Sequence, residues 1–184
     1  MYEQTILVVD DEPDIADLYT AWLETDHEVR TAYCGRTALK KADDDVDTVF
    51  LDRQIPDLSG DEVLERIRER GLDCRVVMVT AIDPDFDIVE MPFDDYLTKP
   101  VMRRNLEGAV ESMQERESYT ETIREYYALT AKKATLEAEK SPAELRNSRE
   151  YQQMDRRVAD LADEADSLVD DIDDDALFKE LSEA

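Results

Sequence analysis

ILVVDDEPD, residues 6–14, runs four consecutive apolar residues into three consecutive carboxylates, and a proline follows at once. An unbroken run rich in β-branched residues reads as a strand covered on both faces. Pro13 suits the first position of a helix. The stretch therefore predicts a buried strand, a tight acidic turn and a helix. The rest of the first 100 residues repeats that pattern. Thr5–Val9, Thr48–Leu51 and Val76–Val79 are near-continuous apolar runs, and Glu28–Ala32 and Asp95–Leu97 are weaker strand candidates. Between them lie helical stretches: one from Pro13 with Ile15, Leu18, Trp22 and Leu23 on one face, one over 36–42, and one after Ser59 and Gly60. The last turns Val63, Leu64 and Ile67 inward and ends at Gly71, a natural C′ residue. Alternating strands and helices predict an α/β fold: a doubly wound, five-stranded parallel sheet with helices on both faces and right-handed crossovers.

From about residue 101 no strand pattern remains. A helix is expected after Pro100 through Leu106, Val110 and Met113, with a break near 116–118. Ile123, Tyr127, Thr130 and Ala134 then recur at helical spacing. Ser141, Pro142 and Glu144 form a helix start with a capping box. A second helix follows, carrying Tyr151, Met154, Val158, Leu161, Ala165, Leu168 and Ile172 at alternating spacings of three and four. That is an a/d seam, able to close an antiparallel hairpin turning at 139–142 or to pair two copies of the chain. The tail DIDDDALFKELSEA reads as frayed or as a short separate helix. The expected division is an α/β domain over 1–115 and a helical hairpin with an acidic tail over 116–184.

Hydrophobic residues make up 42% of the 184, enough for a sizeable core, yet the formal net charge is −26, from 48 Asp and Glu against 22 Lys and Arg. Such a surface repels nucleic acid and anionic membranes over most of its area. With only 7 lysines, it fits a salt-rich cytoplasm where charge is strongly screened. No run approaches the length of a membrane span, and no signal-peptide core is seen. Cys34 and Cys74 lack CxxC spacing and read as reduced core thiols. His27 reads as a surface turn residue.

An Asp-Asp pair is weak evidence in a chain with 27 aspartates, and adjacent aspartates recur at 43–45, 94–95, 170–171 and 173–175. Placement distinguishes Asp10 and Asp11. They end a strand, and ligands bind at the carboxyl edge of open parallel sheets. Asp52 ends the third strand, Thr80 the fourth, and Lys99 follows the fifth. Crowded carboxylates at that edge are tolerable if a divalent cation neutralises them, and hard oxygen donors favour Mg²⁺. The alternative is that these are solvated loop carboxylates beside a surface lysine.

The motifs DDE at 10–12, LDRQIPDLSG at 51–60, VTA at 79–81 and DDYLTKP at 94–100, in this order and each at a strand end, resemble the response-regulator receiver domain of two-component signalling, the CheY-like fold. The resemblance covers about residues 1–115. It implies that Asp52 is the phosphoacceptor, taking its phosphoryl group from a sensor histidine kinase. It further implies that Asp11 binds Mg²⁺ directly with Asp10 assisting, that Asp52 and the backbone carbonyl of Gln54 complete the metal site, and that Lys99 and Thr80 hold the phosphoryl oxygens. Thr80 and Tyr96 would form the switch, although Tyr96 can equally be read as packing on the sheet. Such a protein signals rather than turns over substrate, with self-catalysed phosphorylation and slow hydrolysis. One departure stands out. Only fifteen residues, with Pro84 and Pro92 among them, separate Thr80 from Tyr96. They predict a loop or one helical turn where the family has a full helix.

The stretch YYALTAKKATLEAEKSPAEL at 126–145 resembles the HalX domain, a helical module attached to receivers in haloarchaea, over about 118–170. The family implies a role in transcription regulation but brings no active site. Residues 124–157 carry eight basic against six acidic residues. Lys132, Lys133, Arg146, Arg149, Arg156 and Arg157 are therefore candidates for a partner-binding tip, DNA included, or else members of solvated helix faces with internal ion pairs. The output is open between a phosphorylation-controlled interaction or dimerisation module, a DNA-binding regulator and a phosphorelay intermediate.

Overall fold

The computed structural model describes residues 4–115 and 121–164. Five strands, β1 (Thr5–Val9), β2 (Glu28–Ala32), β3 (Thr48–Leu51), β4 (Arg75–Thr80) and β5 (Asp95–Thr98), form one parallel sheet in the order β2-β1-β3-β4-β5. Register pairs Val9 with both Ala32 and Leu51, Leu51 with Met78, and Thr80 with Thr98. The residues that follow the strands therefore gather at one edge.

The period-two alternation of a strand sends its side chains to opposite faces. Leu7, Val9, Val49, Leu51, Val76 and Met78 join the cluster containing Ala38, Val63 and Ile67 from α2 (Gly35–Lys41) and α3 (Gly60–Glu69). Ile6, Val8, Phe50, Val77 and Val79 join the cluster containing α1 (Pro13–Leu23) and α4 (Arg103–Glu115) through Tyr19, Leu23, Leu106 and Val110. Helix α1 buries Ala16, Tyr19 and Leu23. Leu18, expected inside, is 45% exposed, because it lies roughly 120° round the helix from the centre of that stripe. His27 is buried rather than exposed: its amide donates to the Leu23 carbonyl, folding the turn back onto the helix end. Cys74 is buried and Cys34 half-buried, and both are free thiols.

Between β4 and β5 there is only a 3-10 turn, Phe86–Val89, as the two prolines predict. A full helix there would cover the flank of the sheet. Here α5 (Glu121–Glu139) packs against β5 and the 3-10 turn instead. Leu136 of α5 and Met154 of the returning helix share one core cluster with Ile88, Phe93, Tyr96 and Met78. The inward face of α5 is Leu129, Lys132 and Leu136. It is not the Ile123–Tyr127–Thr130–Ala134 stripe read from the sequence, since Tyr127 and Ala134 are exposed.

The turn at Ser141 carries the expected capping box, with Ser141 Oγ accepting from the Glu144 amide and Glu144 accepting from the Ser141 amide. The helix it starts is not continuous, however. After α6 (Pro142–Asn147), Ser148 leaves helical geometry at φ −83° and ψ 123°. Its Oγ accepts from the Tyr151 amide at 3.1 Å, recapping a further helix, α7, over 149–164. Helix α7 returns antiparallel to α5, tied by Lys133–Asp155, Tyr151–Glu137 and Arg157–Glu125 contacts at 2.5, 2.6 and 2.8 Å. Of the seam, Met154 and Leu161 are buried and Tyr151 and Val158 half-buried. Ala165, Leu168, Ile172, the acidic tail and the break expected near 116–118 lie outside the described residues.

Candidate functional site

The carboxyl edge of the sheet collects the residues singled out in the sequence. Asp10 and Asp52, directly after β1 and β3, are 2% and 5% exposed, and Thr80 at the end of β4 is fully buried. Lys99 reaches in from the end of β5. Its Nζ stands 2.7 Å from Asp10 Oδ2 and 2.7 Å from Asp52 Oδ2, and 4.0 Å from Glu12 Oε1. Asp11 is exposed at the rim, and carboxylate oxygens of Asp10, Asp11 and Asp52 lie within 4.8 Å of one another. The opposite carboxylate oxygens are tied to the backbone: Asp10 Oδ1 accepts from the Glu12 amide at 3.0 Å and Asp52 Oδ1 from the Gln54 amide at 3.1 Å. Each aspartate is thereby held in one orientation.

Burial raises the Asp10 carboxyl above its usual range, against the hydrogen bond from Lys99. Burial pulls Lys99 down, but hydrogen bonds to Asp10 and Asp52 outweigh it and hold the ammonium above the usual lysine range. Three carboxylates facing one ammonium make a net negative pocket of hard oxygen donors, a set that fits Mg²⁺.

The loop after β3 is shaped by close backbone approach. Gly60 opens α3 against the phosphoacceptor candidate itself: a Cβ there would lie 2.1 Å from the Asp52 carbonyl oxygen. The Gly60 amide instead donates to the Arg53 carbonyl at 2.9 Å. Asp57 takes φ +68°, and its carboxylate accepts from the Arg36 and Leu58 amides. Tyr96 is turned inward and 6% exposed, packing against Phe93 at 5.7 Å between ring centroids. Its hydroxyl donates to the Ile82 carbonyl at 2.9 Å, and Thr80 Oγ1 accepts from the Ile82 amide at 3.3 Å. Both switch candidates thus grip the same loop residue.

The six basic candidates of the hairpin do not form one patch. Lys132 is 5% exposed; its Nζ donates to the carbonyls of Val89 at 3.2 Å and Met91 at 2.5 Å and lies 4.9 Å from the Phe93 ring centroid. Burial pushes its pKa down to about 8. Lys133 and Arg157 are paired across α5 and α7, while Arg146, Arg149 and Arg156 are exposed. Arg53, which no motif singles out, is more telling. Its guanidinium, with the side chain 9% exposed, makes a bidentate pair with Asp61 at 3.0 and 2.7 Å and a further bond to Asp87 at 2.6 Å. A lone Arg after an Asp has no spacing signature, and its partners lie 8 and 34 residues away.

Comparison with known proteins agrees with this geometry. The family model of the response regulator receiver domain matches residues 6–111, and that of the HalX domain matches 115–182. A Haloferax volcanii protein named "Putative transcriptional regulator" is 52% identical over 137 residues, 74% of this chain and 24% of that protein. The Bacillus subtilis alkaline phosphatase synthesis transcriptional regulatory protein PhoP is 41% identical over 113 residues, 59% of this chain and 47% of that protein. The chain therefore spans a quarter to a half of these relatives. Among solved structures, the Thermotoga maritima response regulator TrrA in complex with Mg²⁺ and BeF superposes with a TM-score of 0.54 at 35% identity, covering 60% of this chain and 98% of that one. The Haloferax relative also fits the acidic, lysine-poor composition. Among the described residues no helix is long and apolar enough to cross a membrane. The chain belongs to the response-regulator receiver family, with a HalX domain following its receiver.

Proposed function

We propose that this two-component response regulator accepts a phosphoryl group on Asp52 from the phosphohistidine of a sensor histidine kinase in the cytoplasm. In that reaction the P–N bond of the donor breaks as an Asp52 Oδ–P bond forms. The histidine nitrogen leaves with the electron pair and regains a proton from solvent. The observation that carries the reading is the ammonium of Lys99, 2.7 Å from both Asp10 and Asp52 with Asp11 beside them. Phosphoryl transfer needs positioning and neutralisation of equatorial charge more than covalent chemistry from the protein. Lys99 is held where it can follow the charge from the carboxylate to the phosphoryl oxygens. Asp10, Asp11, Asp52 and the backbone carbonyl of Gln54 would hold Mg²⁺, which when bound supplies further neutralisation of the transferred group. The backbone amide of Gln54 holds Asp52 Oδ1 and Lys99 holds Oδ2, so the carboxylate that takes the phosphoryl group is fixed in one orientation. Self-catalysed labelling from small phosphodonors and slow hydrolysis follow from the same residues.

The phosphoryl group adds roughly −1.5 to −2 charge. Thr80 and Tyr96, both bonded to Ile82, respond by regripping the loop whose 3-10 turn packs against the hairpin. The hairpin carries the output, with transcription regulation as its role by likeness to the Haloferax relative. Its exposed Arg146, Arg149 and Arg156 are the surface left for an anionic partner. Homodimerisation through the hairpin has less seam to draw on than the sequence suggests, since Met154 already packs within the chain. Incubation with a labelled small phosphodonor and Mg²⁺ in molar KCl tests the reading. Label should appear on the wild type and vanish in Asp52→Ala; equal labelling of the two would overturn it.

A further inference from the structure

We infer that Arg53 is a positioning residue that transmits the charge state of Asp52 to the helical hairpin by way of Asp87. The inference rests on Asp52 being the phosphoacceptor. Three links run from the residue beside Asp52 to α5. Arg53 is that peptide neighbour, and the Arg53 carbonyl is pinned by the Gly60 amide at 2.9 Å. The guanidinium grips α3 through Asp61 and the 3-10 turn through Asp87 Oδ2 at 2.6 Å, and stands beside the Tyr96 hydroxyl. The far side of that turn is held by the hairpin: Lys132 takes the carbonyls of Val89 and Met91, Lys140 pairs with Asp85 at 2.9 Å and covers the Phe86 ring, and Ile88 is fully buried under α5.

The chemistry gives the direction of the effect. One guanidinium serves two carboxylates, so the pair is already short of positive charge. A dianionic phosphoryl group on Asp52 draws on Thr80, and the Ile82 loop and the Tyr96 hydroxyl beside Arg53 shift with it. The two existing bonds are unequal. Asp61 is bidentate, whereas Asp87 makes a single bond and its side chain is 52% exposed, so water readily replaces Arg53 there. Phosphorylation therefore breaks Arg53–Asp87 first and loosens the turn on which α5 rests. The receiver then signals through a contact inside its own chain, at the place where the helix between β4 and β5 is missing.

Amide hydrogen exchange of the full chain, with and without Mg²⁺ and beryllofluoride, tests the link alongside labelling by a small phosphodonor. In the wild type, beryllofluoride should speed exchange across 121–139 and 149–164 about fivefold, the loss of one exposed charge-assisted bond, while β1 and β3 stay protected. Asp87→Asn should show the faster hairpin exchange without beryllofluoride and little further response, with labelling of Asp52 retained. Arg53→Gln should behave like Asp87→Asn, and Arg53→Lys should restore part of the response, which a merely structural role would not predict. Hairpin exchange in Asp87→Asn equal to wild type in both states would overturn the inference. So would a wild type that takes label yet shows no change in its hairpin. A wild type that takes no label would overturn the Asp52 reading, and this inference with it.

Discussion

Leu136→Ala measures whether the hairpin and the receiver share one core. Leu136 is fully buried, in a cluster with Ile88, Phe93, Tyr96 and Met154. Truncation removes roughly three carbons, worth about 0.8 kcal/mol each in transfer free energy. The cavity left behind adds to this, for a total of about 3 kcal/mol. At an m-value of about 2 kcal/mol/M the urea midpoint should fall by about 1.5 M. The reporter is built in. Trp22 is the only tryptophan and lies on α1, against Tyr19, on the opposite face of the sheet from the hairpin. Unfolding should be followed at fixed high KCl by Trp22 fluorescence and by far-ultraviolet circular dichroism. Both transitions should move together in the variant, because loss of packing at α5 must be felt through the sheet. An unmoved Trp22 transition with a separate early loss of helix would refute the reasoning and make the hairpin an independent unit.

Gly60→Ala should destabilise the chain by about 1–3 kcal/mol, since its Cβ meets backbone atoms that no rotamer change can remove. Phosphodonor labelling of Asp52 should fall with it, read beside a melting curve. Lys132 gives a pH dependence of defined sign. Its native pKa of about 8 lies below the ordinary 10.5, so between those values the unfolded chain holds a proton that the native state gives up. Stability contributed by this site therefore rises as pH climbs from about 8 to 10.5, by at most about 3 kcal/mol, since the two carbonyl acceptors and Asp94 favour the charged form. The difference in urea stability between wild type and Lys132→Met, measured across that window, should show this rise; a flat difference would refute it.

The sheet and the candidate site at its carboxyl edge were legible because each depends on local pattern. Buried parallel strands are written as unbroken apolar runs, and the residue after each run falls at the carboxyl edge whatever the details of packing. That reading puts Asp10, Asp52, Thr80 and Lys99 at one edge, where the structure also has them. The missing helix was legible for a similar reason, since two prolines in fifteen residues forbid it. What could not be read depends on partners far along the chain. Lys132 looked like part of a basic tip because its acceptors, Val89 and Met91, lie more than forty residues earlier. Leu18 shares the apolar face of the helix in sequence, although the smaller Ala16 sets the buried stripe. The break at Ser148 was hidden by flanking residues that favour helix on both sides. Its only mark was a serine able to cap the amide of Tyr151 three positions on.

The short connection between β4 and β5 also bears on how such a chain can be divided. In a receiver with all its own helices, the linker is a seam along which evolution or an engineer can cut and recombine. A chimera joining residues up to 115 to a foreign effector would leave Ile88, Phe93 and Tyr96 without the leucine and methionine that cover them. Receiver and hairpin must therefore be inherited, swapped and mutated as a pair.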